Sequence, residues 1–187
     1  MRIESLHDHL GQFPDADGFW TPTDLMTVES NIRQALPIDE SGAWTTKQLE
    51  ALTQLVRVLD MQRKTPEANQ SLALARKLMP LPTAIATRPE IRLMIEEGRH
   101  LCFAMTPSKA QNYFSQAWTA ASQTGETFLA IEAAVMLSAI RPPKDQNEWL
   151  QQAITLAEKA KDEKSKLWLA QLYTMCGWHS FDFRHFD

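Results

Sequence analysis

Apolar residues recur at helical spacing along most of this chain. In "TTKQLEALTQLVRVLDMQRK", Leu49, Leu52, Leu55, Val56 and Leu59 fall three or four residues apart, which places them on one helix face. "KTPEANQSLALARKLMP" follows with Ala68, Leu72 and Ala75, and "MTPSKAQNYFSQAWTAAS" with Ala110, Phe114 and Ala117. Polar residues mark the borders. Thr21, Pro22 and Asp24 predict a helix over about 22–36, with Thr21 as N-cap and Asp24 at the capping-box position. Thr45 and Gln48 have capping-box spacing, and Asp145 with Glu148 forms another such pair ahead of "WLQQAITLAEKA". Thr65 with Pro66, and Thr106 with Pro107, read as N-cap and first helical residue, and Pro80 ends a helix. No alternating run of strand length and no Asn-Gly or Asp-Gly hairpin signal occurs, so the expectation is an all-α chain of about eight helices joined mostly by short turns.

The helices follow a period. Leu72, Phe114 and Ile154 are spaced by 42 and 40 residues. Val56, Gly98, Ser138 and Gly177, in the preceding helices, are spaced by 42, 40 and 39. Independent markers with one period predict a helix hairpin of about forty residues, written about three and a half times.

These residues resemble the tetratricopeptide repeat. Its first helix carries a large residue, then Leu-Gly, then Tyr, and its second carries Ala, three residues, Phe, then Ala and a closing Pro. One unit supplies Leu52, Leu55, Val56, Leu59, Ala68, Leu72, Ala75 and Pro80. The next supplies Met94, Gly98, Leu101, Ala110, Phe114 and Ala117. The last supplies Tyr173, Cys176 and Gly177, and its ending "FDFRHFD" looks like the turn between two helices of such a repeat. The chain departs from the family at Glu97, where Leu is usual, at Leu150, where Ala is usual, and at Arg141, where an aromatic is usual. "LPTAIATRPE" at 81–90 is extra, and the period is nearer forty than thirty-four, which keeps a HEAT-like stack open.

The resemblance implies a right-handed superhelical stack of antiparallel helix hairpins. Residues 1–45 would form an N-terminal segment whose one helix packs on the repeats. Residues 46–187 would form the repeat domain, with units 46–82, 88–124, 126–161 and an incomplete 163–187. In this family the first helices line a concave face. Carried onto this sequence, that face holds Arg57, Arg92, Ile95, Arg99, Cys102, Phe103, Thr174, Trp178 and Phe181, with Arg57, Arg92, Ile95, Arg99, Phe103, Trp178 and Phe181 as the expected binding groove. Arginine and aromatic side chains are the types that anchor interfaces. The Lys/Asn set by which some relatives grip chaperone tails is missing, because the corresponding positions hold Thr53, Arg57, Ile95 and Arg99.

Composition narrows the function classes. The 187 residues are 44% hydrophobic and 22% charged, with a net charge of -4, which leaves no basic stripe for a nucleic acid. Two cysteines, Cys102 and Cys176, are too few for a disulfide scaffold. No apolar run long enough for a signal peptide or a membrane span occurs, so no membrane partner and a cytoplasmic location are expected. "HDH" at His7, Asp8 and His9 has no second ligand cluster, and His100, His179 and His185 lie apart from any nucleophile pattern. Glu96 and Glu97 are adjacent and so diverge on a helix. No phosphate-cradling loop, nucleophile elbow or Cys-x-x-Cys occurs. No catalytic, metal or cofactor site is therefore expected. The reading is a non-catalytic interaction or scaffold domain that binds a peptide or partner helix. The alternatives are a regulatory input domain of a larger bacterial signalling protein, such as a transcription regulator or nucleotide cyclase, or a small acidic secretion-type chaperone. Because the last segment reads as the first helix of a further hairpin, either a longer parent protein or self-association through that helix is expected.

Overall fold

The computed structural model describes residues 24–37, 43–79 and 84–184, with side chains at all of these except 143–144 and 178–184. Among the described residues there are nine helices and no strand. They are α1 (Leu25–Ala35), α2 (Thr46–Met61), α3 (Thr65–Leu78), α4 (Arg88–Phe103), α5 (Pro107–Thr124), α6 (Thr127–Ile140), α7 (Pro143–Lys159), the single turn α8 (Glu163–Lys166) and α9 (Trp168–Arg184).

Short turns fold α2 back on α3, α4 on α5 and α6 on α7, and successive pairs stack in a solenoid-like array. α2 packs along α4, α5 lies between α4 and α6, and α9 packs on α7. α1 covers α2 through Val28 and Ile32. The turns after α2, α4 and α5 close alike. A residue in the left-handed region (Arg63, φ 60°; Met105, φ 59°; Gly125, φ 73°) precedes an amide that donates back to the helix. Lys64 N reaches Leu59 O, Thr106 N reaches Leu101 O and Glu126 N reaches Ala121 O, each at 2.9 Å. This is the Schellman closure, which glycine enters without strain and other residues do not.

The helix starts differ in places from the sequence expectation. Thr45 and Gln48 do form a capping box: the Thr45 hydroxyl accepts from Gln48 N at 3.3 Å, and Thr45 N donates to Gln48 Oε1 at 2.9 Å. α1, however, is capped by Asp24, whose carboxylate accepts from Thr27 N at 2.9 Å. The cap is thus not Thr21, which with Pro22 lies outside the described residues. Thr65 is itself the first residue of α3, and Lys64 precedes it as a cap without a side-chain bond. α7 begins at Pro143, so Asp145 sits in its first turn rather than capping it. In the extra stretch before α4, Thr87 N donates to Glu90 Oε2 at 2.5 Å, a start signal the pattern reading passed over. The ending read as a turn is helical as far as Arg184.

The apolar positions form two clusters. One joins Val28 and Ile32 to Leu52, Val56, Leu59, Leu72 and Ala75. The other joins Ile91, Ile95, Phe114 and Ala117 to most of α6, Ile154, Trp168 and Leu172. Leu72, Phe114 and Ile154 are all buried, as are Ala68, Ala110 and Leu150. Phe114 rests on bare backbone, since a Cβ at Gly98 would fall 2.4 Å from its ring. The glycine is what lets α5 approach α4 there. Gly177 differs: a Cβ there would meet nothing within 4 Å. Trp168 is fully buried against Phe128, with ring centroids 5.9 Å apart. Trp118 and Trp149 join α5 to α7 as an edge-on pair at 5.4 Å.

Candidate functional site

The first helices of the three hairpins carry the chemistry. On α2, Glu50, Thr53, Gln54, Arg57 and Asp60 recur at helical spacing opposite the leucine face. On α4 the same spacing groups Arg88, Arg92, Glu96 and Arg99. α6 reads "TFLAIEAAVMLSAI", and Glu132 is its one charged residue. Helix packing turns these three stripes toward one another. Arg57, Arg92, Glu96, Arg99 and Glu132 are all more than nine-tenths buried.

Glu132 stands at the centre. Its Oε1 accepts from Arg99 Nη2 at 2.7 Å and lies 3.6 Å from Arg57 Nη1, while its Oε2 lies 4.0 Å from Arg92 Nη1. Arg99 Nη1 also donates to Glu96 Oε1 at 2.5 Å. Arg92 Nε and Arg88 Nε both donate to Glu50 Oε2 at 3.2 Å, and the far end of Arg88 pairs with Glu126 just before α6. The cluster therefore ties α2, α4 and α6 together with four charges of each sign. Two acceptor atoms inside it, Glu96 Oε2 and Glu132 Oε2, are buried without a hydrogen bond from the protein.

The same surroundings act on the two carboxyls in opposite directions. Burial pushes Glu132 up, but the guanidinium charges of Arg99, Arg92 and Arg57 outweigh it and hold it below the usual carboxylate range. For Glu96 burial wins, with Glu132 adding repulsion, and its pKa is raised. Burial and the neighbouring Arg99 bring Arg57 down to about 10, whereas Glu96 and Glu132 overcome burial at Arg99 and raise it.

The expected groove residues are thus found together only in part. Arg57, Arg92 and Arg99 converge, but as a buried ionic cluster rather than as the lining of an open groove. Ile95 is buried in the apolar cluster, and Phe103 packs partly buried beside it. Cys102 is also buried, which pushes its thiol up to about 11, away from the reactive thiolate. Thr174 is exposed on α9. The side chains of Trp178 and Phe181 lie outside those described. Glu97 diverges from Glu96 and accepts from Arg76 Nε of α3 at 2.6 Å, which accounts for a carboxylate where the repeat pattern has Leu. Glu132 was missed by the pattern reading; its signal is a lone charge within an apolar helix.

His100 Nδ1 sits 3.0 Å from both oxygens of the buried Asp60, so this imidazole is oriented by a carboxylate across the α2–α4 contact. His7, Asp8, His9 and His185 fall outside the described residues, as does the side chain of His179. Among the described residues no three His, Cys, Asp or Glu side chains are grouped to hold a metal, and no helix is long and apolar enough to cross a membrane. Against known proteins, no family model, curated protein or solved structure matches the chain.

Proposed function

We propose that this chain is a non-catalytic, cytoplasmic interaction domain of the tetratricopeptide type, which holds a segment of a partner protein against the layer formed by α2, α4 and α6. The observation that carries the reading is the convergence of Arg57, Arg92 and Arg99 on that layer. The three guanidiniums, one from α2 and two from α4, are held in fixed positions by carboxylates of the same layer, and stacked hairpins supply the rigid frame that partner recognition needs. The Gly98–Phe114 contact supports the repeat type, because a small residue in the first helix receiving a large one from the second is how such hairpins close. The half-buried Phe103, at the end of α4, is the apolar member of this surface.

Site-specific photo-cross-linking tests it. A photoreactive amino acid at Phe103 is expected to capture a discrete partner in cells, and the same probe at Gln116, exposed on α5, is not. Capture at Gln116 alone, or at neither position, refutes the reading.

A further inference from the structure

We propose that the outward face of α9 binds a second copy of this chain, as an antiparallel helix pair about a two-fold axis in which Leu167 of each copy rests on Gly177 of the other. This stands apart from the partner reading above, which uses other helices.

Helical period lays the face out. Trp168 and Leu172 are fully buried on one side of α9, and the opposite side carries Leu167, Ala170, Tyr173, Thr174 and Gly177, all exposed. Leu167 lies just ahead of α9 with helical backbone (φ −58°, ψ −23°), so it continues the same face. Leu167 and Tyr173 are 60% and 52% exposed, and of the large apolar side chains exposed among the described residues they are the two that share a face. No residue from 167 to 177 is charged. An outer helix of stacked hairpins normally turns a polar side to water, so an uncharged one marks an interface. The pattern itself selects a second copy. Gly98 is bare because Phe114 fills the space beside it, but a Cβ at Gly177 would meet nothing within 4 Å, so packing within the chain does not use its small size. The face is also its own complement. Leu167 and Gly177 stand equally far from Leu172, and so do Ala170 and Thr174. Two copies reversed about that point set a large residue on bare backbone and two small residues together, which lets the helices approach closely. Charge points the same way. Each copy carries a net charge of -4 and repels another over much of its surface, whereas this face is neutral. Tyr173 borders the seam, with its hydroxyl donating to Glu158 Oε1 of α7 at 2.6 Å.

One helix face is small for an interface, so sedimentation equilibrium of the full chain should show monomer passing to dimer over roughly 1–100 µM. Gly177→Leu points into open space in the single chain and should leave the circular dichroism unchanged. It fills the place that Leu167 of the other copy takes, and should weaken the dimer by about tenfold or more. Leu167→Glu should do the same by setting a carboxylate on that bare backbone. Gln116→Glu, exposed on α5, should leave the dimer as it is. A chain that stays monomeric throughout overturns the proposal, and so does a dimer that Gly177→Leu and Leu167→Glu both leave intact. If neither variant folds, hydrogen exchange on the unaltered chain decides: α9 should slow more than α3 as concentration rises through the same range. An α9 indifferent to concentration overturns the proposal.

Discussion

Two buried carboxylates in this molecule each face several cationic or donor groups, and those groups differ in their exposure to water. Glu29, on α1, faces the turn after α2. Its Oε2 accepts from Lys64 Nζ at 2.7 Å and Gln62 Nε2 at 3.0 Å, and its Oε1 from Arg33 Nε at 2.8 Å. Lys64 and Arg33 remain partly in water. Glu132 is surrounded by groups that are almost wholly buried. Both acids are held below their usual range, Glu29 at about 2, where hydrogen bonds from Lys64, Arg33 and Gln62 outweigh a burial contribution that acts upward. Similar directions conceal different energetics. At Glu29 the donors are partly in water, which takes over part of a bond that is lost. In the interior nothing replaces it, so removing one partner strands the others.

The largest expected effect follows from that contrast. Glu132→Ala should destabilise the chain by roughly 3–5 kcal/mol, because it leaves buried guanidiniums undercompensated. Glu29→Ala should cost less, roughly 1–3 kcal/mol, because its donors Lys64 and Arg33 stay partly in water. Urea denaturation of the two variants checks this, and equal midpoints would break the comparison. Next comes a purely apolar change on α4. Gly98→Ala should overpack against Phe114 and cost roughly 1–3 kcal/mol, with Phe114→Leu in the same chain recovering part of it. Ala110→Leu, at a fully buried position on α5, should cost about the same. Losses at these sites larger than that of Glu132→Ala would mean that the ionic cluster is not the most sensitive part of the layer.

Acid sharpens the contrast within the cluster. A carboxyl whose folded pKa is lowered contributes stability above its ordinary value and loses it as pH falls through the folded one. Glu29 therefore supports the docking of α1 from neutral pH down to about 4.5, and that support fades towards pH 2. Glu132 shares the sign. Glu96, being raised, has the other: its ionised form is disfavoured in the folded chain, and acid relieves that penalty. Glu96→Gln should accordingly cost less than Glu132→Gln at pH 7, with the gap narrowing by pH 3 in urea melts at the two pH values. The smallest effect lies at the turns. Met105 is exposed and left-handed, so Met105→Gly should stabilise the chain by at most about 1 kcal/mol. Arg63→Gly, between the two Glu29 donors Gln62 and Lys64, should do the same, unless loosening that turn weakens the hold on Glu29. Thermal melting of both variants separates these outcomes.

Much of the fold was readable because it is local. The capping box at Thr45 and Gln48 and the leucine face of α2 depend on spacing along a helix, which the chain states directly, whereas the contact of Gly98 with Phe114 lies between two helices of which the sequence marks only the period. The shifted cap at Asp24 and the helical run to Arg184 turn on which of several neighbouring polar groups meets an amide, and spacing does not rank them. The site was half readable. Helical period puts Arg92 and Arg99 on one side of α4 and Arg57 on the matching side of α2. Whether that side meets water or another helix is decided by tertiary approach, so the expected groove became a buried cluster. Glu132 belongs to no motif, and its role arises only from side chains 33, 40 and 75 positions earlier in the sequence.

The ion pair between Arg57 and Glu132 joins the first hairpin to the third, past the one between them. Stacked hairpins that touch only their neighbours unravel piecemeal from the ends, each unit answering to its own stability. A charge shared across two junctions removes that independence, since fraying α6 strands an arginine on α2 and fraying α2 strands a glutamate on α6. Residues 46–159 should then melt as one cooperative unit, with the last hairpin unable to open while the first stays intact.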